Sequence, residues 1–136
     1  MKKILEIFTD GASKGNPGPA GIGVVIYQDG RIIKEISKAI GTQTNNFAEY
    51  TAVIYALQEA LILKATAVKI HTDSELISNQ IKGRYKIKHP DMKRLFDQAQ
   101  HLAEGFEQLE VIYIKRGRNK AADRLATAVL EPKNFS

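Results

Sequence analysis

The chain has no cysteine among its 136 residues. Disulfide frameworks and thiolate metal sites are therefore excluded, and the composition suits a reducing compartment such as the cytoplasm. Long apolar runs are absent too. The N-terminus passes from Met1-Lys2-Lys3 into a short apolar stretch broken by Glu6 and is polar by Thr9. That is too short for a signal peptide or a membrane span, so a cytoplasmic protein with no membrane partner is expected. Low-complexity tracts, internal repeats and linkers are lacking, and residues 1–136 read as a single domain, a length sufficient for a proper core. No extended apolar seam is visible, which favours a monomer.

Negative charge is in the minority. Lys and Arg number 20 against 15 Asp and Glu, a formal charge of +5. A basic excess favours polyanionic partners, because each phosphate neutralised releases counterions. Its distribution says more. Lys82, Arg84, Lys86, Lys88, Lys93 and Arg94 crowd one segment, opposed only by Asp91. Lys115, Arg116, Arg118 and Lys120 form a second cluster without an acid inside it. Both are nucleic-acid signals that need support from elsewhere.

Periodicity predicts strands at 4–9, 22–27 and 32–40, the last two joined by the Asp29-Gly30 hairpin signal, with a glycine- and proline-rich turn at 13–21. Helical spacing follows at 48–63, a strand at 68–72, helices at 74–81 and 90–104, a strand at 109–114, and a helix at 121–130 stopped near Pro132. The order βββαβααβα predicts an α/β fold, a meander followed by parallel crossovers, with helices on both faces of one mixed sheet.

Four acids stand at notable places, and each has a local explanation. Asp10 forms half of an Asp-Gly turn, and Asp73 is an N-cap candidate. Asn46 and Glu49 have capping-box spacing. Asn119 can cap the last helix, with Asp123 in its first turn, where the helix dipole favours an anion. Jointly they suggest more. If the first and fourth strands are parallel neighbours, Asp10 and Asp73 leave one sheet edge together, where ligands of open α/β sheets bind. Helix starts carrying Glu49 and Asp123 can face the same edge. Four carboxylates at one point repel unless cations fill the gap, and hard oxygen donors without His or Cys suit Mg²⁺ or Mn²⁺. Two such ions about 4 Å apart clamp the attacking and leaving oxygens of a phosphoryl displacement.

The motifs Thr9-Asp10-Gly11-Ala12-Ser13, Gly15 to Gly21, Thr44-Asn45-Asn46-Phe47-Ala48-Glu49, Thr72-Asp73-Ser74 and Asn119 to Asp123 resemble, in order and spacing, the type 1 ribonuclease H family. The likeness spans essentially the whole chain. It implies a ribonuclease H-like, five-stranded mixed sheet of order 3-2-1-4-5. It implies a metal-dependent endonuclease that cuts the RNA strand of RNA–DNA hybrids, leaving 3′-hydroxyl and 5′-phosphate ends, with two Mg²⁺ (or Mn²⁺) ions on Asp10, Glu49, Asp73 and Asp123. Carried over residue by residue, Gly11 and Ala12 approach the RNA backbone, Asn16 and Asn45 the minor groove or sugars, Thr44 a DNA phosphate, and Asn46 a base edge. Glu49 would also sense the 2′-hydroxyl beside the cut.

The chain departs from that pattern in three places. The loop Lys115 to Asn119 lacks the histidine many members carry, leaving Arg116 or Arg118 to assist electrostatically; neither is a base near neutral pH. His71 reads as structural, His89 and His101 as surface residues. The long basic, tryptophan-bearing insertion is reduced to residues 82–88, with Arg84, Lys86 and Lys88 as handle contacts. Glu75 stands where glutamine is frequent and contacts the sugar. Three alternatives stay open at this level: a non-catalytic hybrid-binding module, a nuclease also taking double-stranded RNA, and a DNA nuclease.

Overall fold

In the computed structural model, which describes residues 2–84 and 86–130, the chain forms strands β1 (Ile4–Ser13), β2 (Gly18–Gln28) and β3 (Arg31–Gln43), helix α1 (Asn45–Ile62), strand β4 (Ala67–Thr72), helices α2 (Glu75–Ile81) and α3 (Pro90–Ala103), strand β5 (Gln108–Tyr113), a 3₁₀ turn at Arg116–Arg118, and helix α4 (Lys120–Ala128). The expected stop near Pro132 and the Tyr85 portion of the basic segment lie outside the described residues. The sheet order is β3-β2-β1-β4-β5, as the family resemblance implies. β2 is antiparallel to β1 and β3, while β4 runs parallel to β1 and β5.

The central strand is longer than its local sequence suggests. Asp10-Gly11 is no turn: Asp10 pairs with Gly23, Gly11 with Ile22, Ala12 with Gly21 and Ser13 with Ala20. The ladder to β2 overrides the turn chemistry of Asp-Gly, and the reversal is confined to residues 14–17, where Lys14 N–H donates to the Pro19 carbonyl at 2.8 Å. The hairpin between β2 and β3 falls as predicted. Asp29 and Gly30 take φ of 53° and 77°, the left-handed pair that a two-residue turn matched to strand twist requires.

One face of the sheet carries the main core. Leu5 and Ile7 of β1, Val24 and Ile26 of β2, and Val68 and Ile70 of β4 pack against Tyr50, Val53, Ile54 and Leu57 of α1. α3 lies beside α1 and buries Ala99. α1 is rich in Ala and Leu, and it ends in a Schellman motif: Ala65 N–H reaches Ala60 O at 3.0 Å, Lys64 N–H reaches Leu61 O at 3.0 Å, and Lys64 sits at φ 60°. The opposite face takes α4. A Cβ on Gly21 or Gly23 of β2 would meet the Ala126 or Ala122 carbonyl, so these glycines let the helix backbone lie directly on the strand.

Capping differs from the sequence expectation. Thr44, not Asn46, caps α1, its hydroxyl accepting from Phe47 N–H at 3.1 Å, so Asn46 and Glu49 form no capping box. Ser74, not Asp73, caps α2, accepting from Ile77 N–H at 3.2 Å. Asn119 occupies the cap position of α4 yet makes no capping bond with its side chain. At α1 and α2 a hydroxyl takes the cap and leaves Asn46 and Asp73 to other partners.

Candidate active site

Where β1 and β4 leave the sheet side by side, the carboxylates of Asp10, Glu49 and Asp73 converge, with one oxygen of each within 4.8 Å of the others. Parallel pairing of Thr9 with Thr72 aligns the two strand-borne aspartates. Glu49 comes from the second turn of α1, and its approach depends on Gly11: a Cβ there would overlap the Ala48–Glu49 peptide. Asp123, in the first turn of α4, lines the same cleft of about 250 Å³ together with Ala12, Asn45, Ser74 and Arg116.

Asp10 is 4% exposed and Glu49 5%. Burial pushes Asp10 from its ordinary 3.8 up to about 7; a hydrogen bond with Glu49 works against the shift, and the charges of Asp73 and Asp123 add to it. Burial likewise raises Glu49 well above the usual carboxylate range, reinforced by the charge of Asp10 and its hydrogen bond to that group. The Gly11 N–H donates to Asp10 Oδ1 at 2.9 Å. Glu49 Oε2 is buried with no hydrogen-bond partner among the described residues. Crowded, partly desolvated carboxylates with an orphaned oxygen are poorly satisfied as a protein-only arrangement and chemically suited to hard divalent cations. Arg116 reaches across the rim, its guanidinium 4.0 Å from Asp123 Oδ1, while Arg118 is exposed and outside the lining.

A second groove of about 400 Å³ is lined by Asn16, Gln43, Thr44, Asn46, Phe47, Leu76, Gln80, Ile87, Lys88, His89, Asp91 and Met92. The asparagine-rich motif is thus divided between two sites: Asn45 lines the acidic cleft and Asn46 this groove. Asn16 is partly committed, since its Oδ1 accepts from Asn45 N–H at 3.0 Å and ties the turn after β1 to the start of α1. Of the basic segment, Lys88 lines the groove, whereas Arg84 and Lys86 are exposed outside it. Glu75 opens α2 and is exposed outside both linings.

His71 stacks on Phe8, with 4.3 Å between ring centroids and 8° between planes, and sets Nε2 3.0 Å from Glu6 Oε1, which agrees with a structural role. His101 is exposed. His89 is more than a surface residue: its Nδ1 accepts from Asp91 N–H at 3.2 Å, capping α3 at the groove wall. The His-Pro pair at the helix start carries that signal in the sequence. Asn119, read only as a cap, is 1% exposed and binds two groups at the cleft.

Sheet order and cleft together define a ribonuclease H-like fold. The comparisons agree. A family model described as Reverse transcriptase-like matches residues 8–129. Ribonuclease HI of Halobacterium salinarum is 38% identical over 128 residues, covering 93% of this chain and 64% of that protein. The crystal structure of RNase H1 from that archaeon matches with a TM-score of 0.91 over 93% of this chain and 97% of its own. Ribonuclease H of Chelativorans sp. is 32% identical over 146 residues, covering 97% of this chain and 88% of its own. The structure of LC11-RNase H1 in complex with an RNA/DNA hybrid matches with 41% identity and a TM-score of 0.87, over 91% of this chain and 94% of that one. The chain belongs to the type 1 ribonuclease H family. It spans between about a third and two-thirds of the length of several curated relatives, 36% of the Mycobacterium tuberculosis bifunctional protein Rv2228c and 64% of the Halobacterium enzyme. Among the described residues, no helix is long and apolar enough to cross a membrane.

Proposed function

We propose that this protein is a ribonuclease H: a metal-dependent endonuclease that hydrolyses the RNA strand of RNA–DNA hybrids, leaving 3′-hydroxyl and 5′-phosphate ends, with residues 1–136 acting as one domain. The observation that carries the reading is the convergence of the Asp10, Glu49 and Asp73 carboxylates, one Glu49 oxygen being buried and unpartnered. Asp10, Glu49, Asp73 and Asp123 would hold two Mg²⁺ ions, with Mn²⁺ as a substitute. Bound there, divalent ions supply charge stabilisation for the attacking and leaving oxygens of the phosphodiester.

The chain's own residues do the remainder. Burial of Asp10 and Glu49 keeps the carboxylates dry and fixed in advance, so little reorganisation accompanies ion binding. Ala12 and Asn45 border the cleft where the scissile RNA strand would pass, and Ala12 is small enough to let a backbone approach. The DNA strand would follow the second groove. The Thr44 hydroxyl accepts from Phe47 N–H, which leaves its own O–H to donate to a phosphate at the amino end of an 18-residue helix with no acid in its first turn. Lys88 supplies a charge on the same wall and Arg116 one at the rim of the cleft. The Arg116 guanidinium offers donors and no acceptor, so its part is phosphate binding.

Labelled hybrid incubated with purified protein in Mg²⁺, in Mn²⁺ and in EDTA tests the proposal, with Asp10→Asn alongside. Metal-dependent cutting by the wild type that the variant lacks is the expected result. A folded protein that binds hybrid but cuts under no metal would make the chain a binding module. Double-stranded RNA and an all-DNA duplex, run in parallel, define the substrate range.

A further inference from the structure

We propose that Asn119 is a positioning residue that fixes Asp73 against the end of β1 and thereby sets the metal affinity of the cleft, an inference that rests on the metal-site reading above. Asn119 lies at the junction of the 3₁₀ turn and α4 and is 1% exposed. Its Nδ2 donates twice, to the Thr9 carbonyl at 2.9 Å and to Asp73 Oδ2 at 3.1 Å. The Thr9 carbonyl can only accept, so the amide orientation is dictated: the nitrogen faces the two strand ends.

Three features separate this arrangement from ordinary capping. Asn is a favoured N-cap, yet this side chain gives nothing to the helix N–H groups. Its Oδ1 is buried without a partner among the described residues, so the residue is held for its donors and not for its acceptor. The two acceptors belong to different strands: Thr9 immediately precedes Asp10 on β1, and Asp73 follows the last residue of β4. The amide therefore bridges the two aspartate-bearing strand ends where the β1–β4 ladder stops at Thr9 and Thr72. Asp123, four residues on, is joined to the same point through its N–H to Asn119 O at 3.0 Å. The side chain thus references Asp73 to the strand end that carries Asp10, while the backbone carbonyl of the same residue holds the first turn of α4 beside them. Outer groups that orient metal-binding carboxylates commonly control affinity by about 10–100-fold.

The test is Mn²⁺ binding by titration calorimetry to wild type, Asn119→Ala, Asn119→Leu, Asp73→Asn and the Asp73→Asn/Asn119→Ala double variant. Thermal unfolding in EDTA and cleavage at several Mn²⁺ concentrations accompany it. Asn119→Ala should bind Mn²⁺ about 10–100-fold more weakly, with hybrid KM within twofold of wild type and kcat recovering as Mn²⁺ rises. In the Asp73→Asn background the added loss should shrink below about threefold, because the amide acts through that carboxylate. Undiminished Mn²⁺ affinity in folded Asn119→Ala overturns the inference, as does a full loss that persists without the Asp73 charge. Failure of both Asn119 variants to fold in EDTA would make the residue an anchor for the Thr9 strand alone, and equally overturns it. Absence of Mn²⁺ binding by the wild type would instead sink the metal-site reading itself.

Discussion

Gly11 lies flat against the Ala48–Glu49 peptide, and no side chain fits between strand β1 and helix α1 at that point. The contact brings the Glu49 carboxylate from one helix to the Asp10 carboxylate on the strand. Gly11→Ala should push α1 outward, at about 1–3 kcal/mol of stability for overpacking. Displacing Glu49 by even about 1 Å should lower kcat on the order of 100-fold. Thermal unfolding and steady-state cleavage with excess Mg²⁺ measure the two effects; wild-type kcat in Gly11→Ala would contradict the positioning argument.

Stability without metal should fall as pH rises. Asp10 is raised from 3.8 to about 7 in the folded chain, so between those values the folded state holds a proton that the unfolded state has released. The unfolded state then binds fewer protons, and the slope of unfolding free energy with pH is negative. The loss is complete above pH 7, and at about 1.4 kcal/mol per pKa unit it amounts to a few kcal/mol. Melting in EDTA should give a higher Tm near pH 5 than near pH 8 from this contribution, and Mg²⁺ at pH 8 should restore the difference. Asp10→Asn, neutral at every pH, should flatten that part of the profile and melt higher than wild type in EDTA at pH 8, while cutting nothing.

The basic contacts should report through salt. Lys88→Ala and Arg116→Ala should each raise KM for hybrid and reduce the slope of log affinity against log salt by about 1, if each neutralises one phosphate. Arg84→Ala and Lys86→Ala, whose parents lie outside both linings, should change the slope less. Equal slopes for all four variants would remove the distinction drawn between groove and surface charges.

Two sites offer stability without touching the cleft. Lys64 holds φ 60°, which glycine adopts without the steric penalty, so Lys64→Gly should add about 1 kcal/mol. Ser78 is 1% exposed and its hydroxyl has no partner among the described residues. Ser78→Ala removes that unsatisfied group and should add roughly 1 kcal/mol. Denaturant melts of each variant, with unchanged cleavage as the control, check both.

The order of elements was legible because hydrophobic spacing switches from period 2 to helical spacing at α1 and alternates thereafter, and the Asp29-Gly30 hairpin was legible from chemistry alone. Local signals failed where distant chain intervened. Asp10-Gly11 reads as a turn until β2 supplies a ladder partner thirteen positions away in register, Gly23 for Asp10. Asp73, Asn46 and Asn119 all read as helix caps, yet Thr44 caps α1, Ser74 caps α2, and the Asn119 side chain gives α4 no capping bond. A hydroxyl satisfies the helix end as well as a carboxylate does, so nothing local says which neighbour is spared for other work. The paired contacts of Asn119 span separations of 110 and 46 residues and leave no local trace.

Strand β3 bears on how the protein behaves in concentrated solution. It forms one border of the sheet, thirteen residues long, with Ile32 and Ile33 half exposed. Such a border is a template on which a neighbouring molecule can extend the sheet, and charged side chains along it discourage that growth. Arg31, Lys34, Glu35 and Lys38 are spaced along its length, and Lys34 and Lys38 are also held inward, over Glu59 and the ring of Tyr55. These lysines therefore act as gatekeepers against aggregation, and a variant stripped of them would be expected to lose colloidal stability before it lost its fold.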